Sequence, residues 1–193
     1  MKKLLPIATF LTFVAEPAMA HIGHGPTTSL AAGFAHPFSG FDHFLVMLMV
    51  GLWAAQKGGR ALWAWPAIFV GMILFGGALA MHGTPLPFVE PAILASVVAL
   101  GLLVTLAVDL PVGAGAAVIT VFALFHGYAH GSEVKETVSG TEYLAGFAIA
   151  TASLHLVGIG FAKVMKCFQL QSAIRVAGLL CVLVGTGLFA GVI

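Results

Sequence analysis

Charge is what this sequence has least of. Asp, Glu, Lys and Arg make up 8% of its 193 residues, against 60% hydrophobic side chains. Eight Lys and Arg nearly balance seven Asp and Glu, and the net charge is +1. With no basic block and no stacking platform, a nucleic-acid binder is excluded. No glycine-rich loop joins a strand pattern to a helix pattern, so a phosphate-cradling nucleotide site is excluded too. The 24 glycines lie within apolar stretches instead. Cysteine is almost absent. Cys167 and Cys181 have neither CxxC spacing nor adjacent histidines, and read as inert thiols rather than a disulfide or a metal pair.

What is present is apolar length. A mean hydropathy of +1.08 places the chain in the membrane class. Residues 1–20 read as a secretory signal peptide. Lys2 and Lys3 form the positive end, and Leu4 to Ala15 is short of the ~20 residues a span requires. Ala18-Met19-Ala20 is a small-x-small cleavage signature. Cleavage would leave 21–193 as one transmembrane domain, beginning at His21.

The expected fold is all-α: a polytopic membrane helical bundle of six transmembrane helices. The apolar segments run over 37–56, 62–81, 88–108, 112–130, 143–162 and 173–193, each near the length that crosses ~30 Å of hydrocarbon. Lysine and arginine set the orientation. With the N-terminus outside, Lys57, Arg60, Lys163, Lys166 and Arg175 lie on the inner side and only Lys135 on the outer. This predicts a bacterial inner-membrane protein with both mature termini periplasmic and loops 57–61 and 163–172 cytoplasmic. Trp53, Trp63 and Trp65 would form an interfacial belt at the inner face. Glycines such as the Gly187–Gly191 pair allow close helix packing, within the bundle or in a homo-oligomer.

Polar side chains at membrane depth are expensive and therefore mark function. Two segments concentrate them. HPFSGFDHFLVMLMVG carries His36, Asp42 and His43; FHGYAHGSE carries His126, His130 and Glu133. His36 and His43 are seven apart, which returns to one helical face, while Asp42 points about 100° away from His43. His126 and His130 are four apart, a metal-chelating spacing, and Glu133 continues their face if the helix survives Gly131. Both segments fall in the outer half of the membrane and so form one candidate metal site. Each histidine also has a plain structural reading, an imidazole hydrogen-bonded to a neighbouring helix, and Asp42–His43 is equally a buried acid–imidazole pair. His21, His24, His82 and His155 are further candidates: the first two in a polar terminus, His82 at an outer helix end, His155 deep in the fifth span beside Thr151 and Ser153. For Met47, four after His43, core packing is the better reading.

These two motifs resemble the signature segments of the HupE/UreJ family of nickel/cobalt permeases. The likeness extends to the signal peptide, the early His21-Ile-Gly-His24 and the six-span layout. It implies a permease importing a divalent metal from the periplasm, nickel or cobalt, with zinc or copper as other occupants of the site. It implies no tightly bound cofactor, and the site residues His36, Asp42, His43, His126, His130 and Glu133. Rival readings from the residues alone are a zinc-dependent intramembrane hydrolase, a bis-histidine haem protein with His43 and His126 as ligands, and a metal-binding sensor or accessory that moves nothing. A permease of this chemistry would lose uptake in acid as imidazoles protonate, around an ordinary value of about 6.5.

Overall fold

The computed structural model of the protein describes residues 30–134 and 140–192. The signal segment, His21, His24 and Lys135 lie outside the described residues. Those described are helical, with no strand among them. The elements are α1 (Leu30–Ala35), a 3-10 turn (His36–Phe38), α2 (Phe41–Lys57), α3 (Ala61–Met81), α4 (Val89–Thr105), α5 (Val112–Glu133), α6 (Gly140–Cys167) and α7 (Gln171–Phe189). Six of these, α2 to α7, match the six apolar segments read from the sequence. Four (α3, α5, α6 and α7) are long and apolar enough to cross a membrane. The α1–α2 pair makes a fifth span if counted as one bent unit, and α4 is a shorter apolar helix of 17 residues.

The first segment departs from expectation. The apolar pattern predicts one helix from residue 37, but the chain bends by 84° between Phe38 and Phe41. Pro37 opens a 3-10 turn rather than a span, and Ser39 closes it by donating its N–H and hydroxyl to the His36 carbonyl at 3.0 and 2.6 Å. Gly40 is extended (φ −117°, ψ 124°). Since α2 starts at Phe41, Asp42 and His43 occupy its first turn, and His36 stands on a separate segment. A shared helical face for His36 and His43 is therefore not what brings them together.

Glycine sets the close helix contacts. A Cβ on Gly127 would stand 2.2 Å from the Ile73 carbonyl oxygen, and one on Gly131 would stand 2.3 Å from that of Gly77. Gly76 faces Leu124 in the same way. Residue numbers rise together along this contact, so α3 and α5 run parallel with their backbones touching. The α2–α6 pair is also parallel: Met47 meets Thr151, Gly51 meets His155, and Lys166 donates to the Ala55 carbonyl. By contrast α4 and α7 are antiparallel, joined where Gly101 meets Gly178 and Gly185 meets Val97. Alternating directions of this kind suit a chain threaded back and forth. Gly191 has φ +65° and lies beyond the end of α7, so it forms no helical face with Gly187.

Trp53 and Trp65 are buried within the bundle rather than exposed on its outer surface. Their rings lie 4.3 Å apart, and their indole N–H groups donate to the carbonyls of Val108 and Val112 at 2.9 and 3.0 Å, tying down the α4–α5 connection. Trp63 is exposed. Lys57 pairs with Asp109 at the same end of the bundle. Cys181 is buried against the Val97 carbonyl and Cys167 is exposed; both are free thiols.

Candidate metal centre

Five ionisable side chains from three segments meet inside the bundle. His36 comes from the 3-10 turn, His43 from the first turn of α2, and His126, His130 and Glu133 from the end of α5. The His130 ring lies 4.6 Å from that of His36 and 4.3 Å from that of His43, and His43 lies 4.8 Å from His126. Glu133 stands at the mouth, with its carboxylate 3.6 Å from His36 Nε2 and 3.9 Å from His130 Nδ1. Side-chain exposure falls along this series, from 36% at Glu133 and 30% at His36, through 13% at His43, to 1% at His130. His126 is fully buried. The cluster is thus a column leading inward from an open end.

Local sequence explains each placement. In the first motif Gly40 is required: a Cβ there would stand 2.8 Å from Asp42 Oδ1 and 3.4 Å from His43 Nδ1. Asp42 Oδ1 accepts both the backbone N–H of His43, at 2.8 Å, and its ring Nδ1–H, at 2.7 Å. The N-terminal turn of α2 also favours the carboxylate's negative charge. In the second motif each histidine is followed by a glycine. The Gly127–Gly131 stripe presses α5 onto α3, and the His126–His130 stripe, one residue earlier, is rotated by about 100° into the interior. The α5 helix runs unbroken through Glu133, so Gly131 does not end it. Its C-terminal carbonyls present negative potential towards a cation in the cluster.

The tautomers follow from hydrogen-bond accounting. His43 donates through Nδ1, so Nε2 carries the lone pair, and this atom is buried with no partner among the described residues. His126 Nε2 is 2.8 Å from Ser96 Oγ on α4, while that hydroxyl donates to the Ile93 carbonyl at 2.6 Å. Ser96 therefore accepts from His126, whose Nε2–H is fixed and whose Nδ1 is bare, again buried and unpartnered. Neither His130 nitrogen has a hydrogen-bond partner among the described residues. Buried polar atoms left unpaired in a native structure call for an explanation, and a transient ion or water supplies one. Carboxylate or hydroxyl on one ring nitrogen and a free lone pair on the other is how metal-ligating histidines are oriented.

The ligand atoms of His36, His130 and Glu133 all lie within 4.8 Å of one another. Ligands held at ~2.0–2.2 Å from one ion would stand somewhat closer together than that, so a small inward shift of these three side chains would be needed for all of them to ligate one ion.

Four residues of this site carry no signal in the sequence: Ser96, Phe69, Tyr143 and Phe147. The aromatic pair from α6 walls the column, Tyr143 at 5.7 Å from His36 and Phe147 at 4.0 Å from His130. Phe69 on α3 touches His126 at 6.0 Å. Of the further candidates, His82 is exposed at the C-terminal end of α3, its N–H bonded to Ala78. His155 is buried on α6 and also meets Phe69, with ring centroids 5.1 Å apart.

An apolar bundle enclosing a histidine–carboxylate column defines the class: a multi-helix membrane protein with a candidate cation site. The comparisons with known proteins make the assignment narrower. The sequence profile of the HupE / UreJ protein family matches residues 9–188. "Protein HupE" of Rhizobium leguminosarum bv. viciae is 43% identical over 190 residues, covering 98% of this chain and all of that protein. No solved structure matches. The chain belongs to the HupE/UreJ family.

Proposed function

We propose that this protein is a permease for a divalent transition metal, nickel or cobalt, and imports the ion from the periplasm through the column of His36, Asp42, His43, His126, His130 and Glu133. The reading is carried by one observation: ring nitrogens from separate helices converge, buried and unpaired, behind a mouth that is open at Glu133 and His36. An ion arriving there exchanges water for imidazole and carboxylate. Neutral imidazoles with Glu133 and Asp42 offset its two charges, which lowers the desolvation penalty. His with carboxylate suits nickel and cobalt alike. Spacing too wide for a rigid cage suits transport, since the ion must also leave.

The topology in this proposal is six spans, α2 to α7, in the bacterial inner membrane after cleavage of residues 1–20. Both mature termini are periplasmic, and the loops at 57–61 and 163–172 are cytoplasmic. Parallel α2–α6 and α3–α5 pairs and the antiparallel α4–α7 pair are consistent with that threading.

The test is nickel uptake by cells lacking other nickel importers. His36→Ala, His43→Ala, His130→Ala and Glu133→Ala are each expected to lower uptake about tenfold or more at unchanged protein level. Unchanged uptake in all four sinks the site assignment. Stoichiometric zinc that survives purification, with no transport in vesicles, would identify a hydrolase instead.

A further inference from the structure

The column does not stop at His126. On α6, Tyr143, Phe147, Thr151 and His155 recur every four residues, about 6 Å apart along the axis and each turned about 40° from the last, and all four are buried. The first two line the mouth and the upper column. Thr151 is buried and donates its hydroxyl to Met47 Sδ at 3.4 Å; Met47, one turn inward from His43 on α2, is fully buried. One turn further along α6 is His155, buried, with both ring nitrogens lacking a hydrogen-bond partner among the described residues. Gly51 packs on the His155 backbone, which places that backbone level with a point two turns inward from His43, ~12 Å along α2. The ring of Phe69, itself fully buried, lies 6.0 Å from that of His126 and 5.1 Å from that of His155.

A packing histidine does not need two bare nitrogens. A neutral imidazole always has one N–H and one lone pair, and burying both unpaired is costly. Core demand alone is met better by leucine. Each turn inward from His43 instead offers at least one ligand atom: a thioether and a hydroxyl at Met47 and Thr151, then an imidazole at His155.

We propose that His155 is an inner metal station, reached from the outer column past Phe69, with Met47 Sδ as the intermediate contact. It rests on the transport reading above. It gives the ion a ligand after His126 releases it, so that no step leaves a bare divalent cation in apolar surroundings. Because the outer column is complete without His155, the inner station governs passage rather than capture.

The experiment uses the full chain in proteoliposomes with Ni2+ alone. His155→Leu matches the ring roughly in volume and removes the ligand; Met47→Leu removes only the sulfur. We expect His155→Leu to lower maximal uptake about tenfold or more, with external half-saturation changed by less than about twofold. We expect Met47→Leu to lower it less, in the same direction. As a readout independent of transport, His155→Cys is expected to gain a thiolate-to-nickel charge-transfer absorption that the parent protein, with Cys167 and Cys181 in place, does not show. Wild-type uptake in both leucine variants overturns the inner station while leaving the permease intact, and so does a folded His155→Cys protein without the new absorption. Parent protein that moves no Ni2+ overturns the permease reading and the station with it.

Discussion

Asp42 and Ser96 act alike on two different rings. Each takes the N–H of one imidazole and leaves the opposite nitrogen bare, Nε2 of His43 and Nδ1 of His126. Neither need touch the ion to control it. Ser96→Ala frees His126 to rotate or change tautomer, and is expected to raise the nickel concentration for half-maximal uptake about 10–100-fold; Asp42→Asn, which keeps shape and loses charge, should do the same. Ser96→Thr retains the hydroxyl and should retain uptake. Radiolabelled nickel uptake across a concentration series decides it: a Ser96→Ala protein indistinguishable from its parent would show that the hydrogen bond is mere packing. The two partners differ in how legible they were. Asp42 adjoins His43 and stands out in an apolar run, so the sequence exposes it. Ser96 lies thirty positions from His126 in a different apolar helix. Its role exists only once α4 and α5 are side by side, as that of Phe69 exists only once α3 meets α5.

At the scale of elements, the second motif is two stripes in one. Read for chemistry, FHGYAHGSE shows its histidines and acid; read for packing, it shows Gly127 and Gly131, which seat α5 on α3. The histidine spacing is legible because it is periodic, whereas the glycines are lost among the 24 of the chain. The six apolar runs also translate directly into six helices, because length and hydropathy are local properties. What the apolar pattern hides is the bend after Phe38. Pro37 is as compatible with the start of a long helix as with a 3-10 turn, and only Gly40, extended to make room for the Asp42–His43 pair, separates the two. Gly127→Ala tests the seating. Its Cβ meets the Ile73 backbone, which has no rotamer by which to yield, so α3 and α5 must separate. A loss of about 1–3 kcal/mol is expected, as for other overpacked positions, together with lower uptake. Gly113→Ala, on the same helix with nothing within 4 Å, is the control. Helix propensity alone would stabilise it by up to about 1 kcal/mol. Thermal melts of the two purified variants should move in opposite directions; equal melts would mean that α3 and α5 are not held by this contact.

For the whole molecule the question is what drives an ion down the column. The chain carries no nucleotide-binding motif, and the proposed route contains two carboxylates, Asp42 and Glu133. An ion that crosses with its charge uncompensated by a counter-moving proton draws on the membrane potential, roughly 4–5 kcal/mol for two charges per 100 mV. At equilibrium that corresponds to accumulation of about a thousandfold. Proteoliposomes with a potassium-diffusion potential, negative inside, should therefore accumulate nickel above the external concentration, and dissipating the potential should release it. If uptake instead stops at equal concentrations whatever the potential, while an imposed pH gradient drives it further, each ion is exchanged for protons. The histidines would then be proton carriers as well as ligands, and the bare nitrogens of His130 would be the place where that exchange begins.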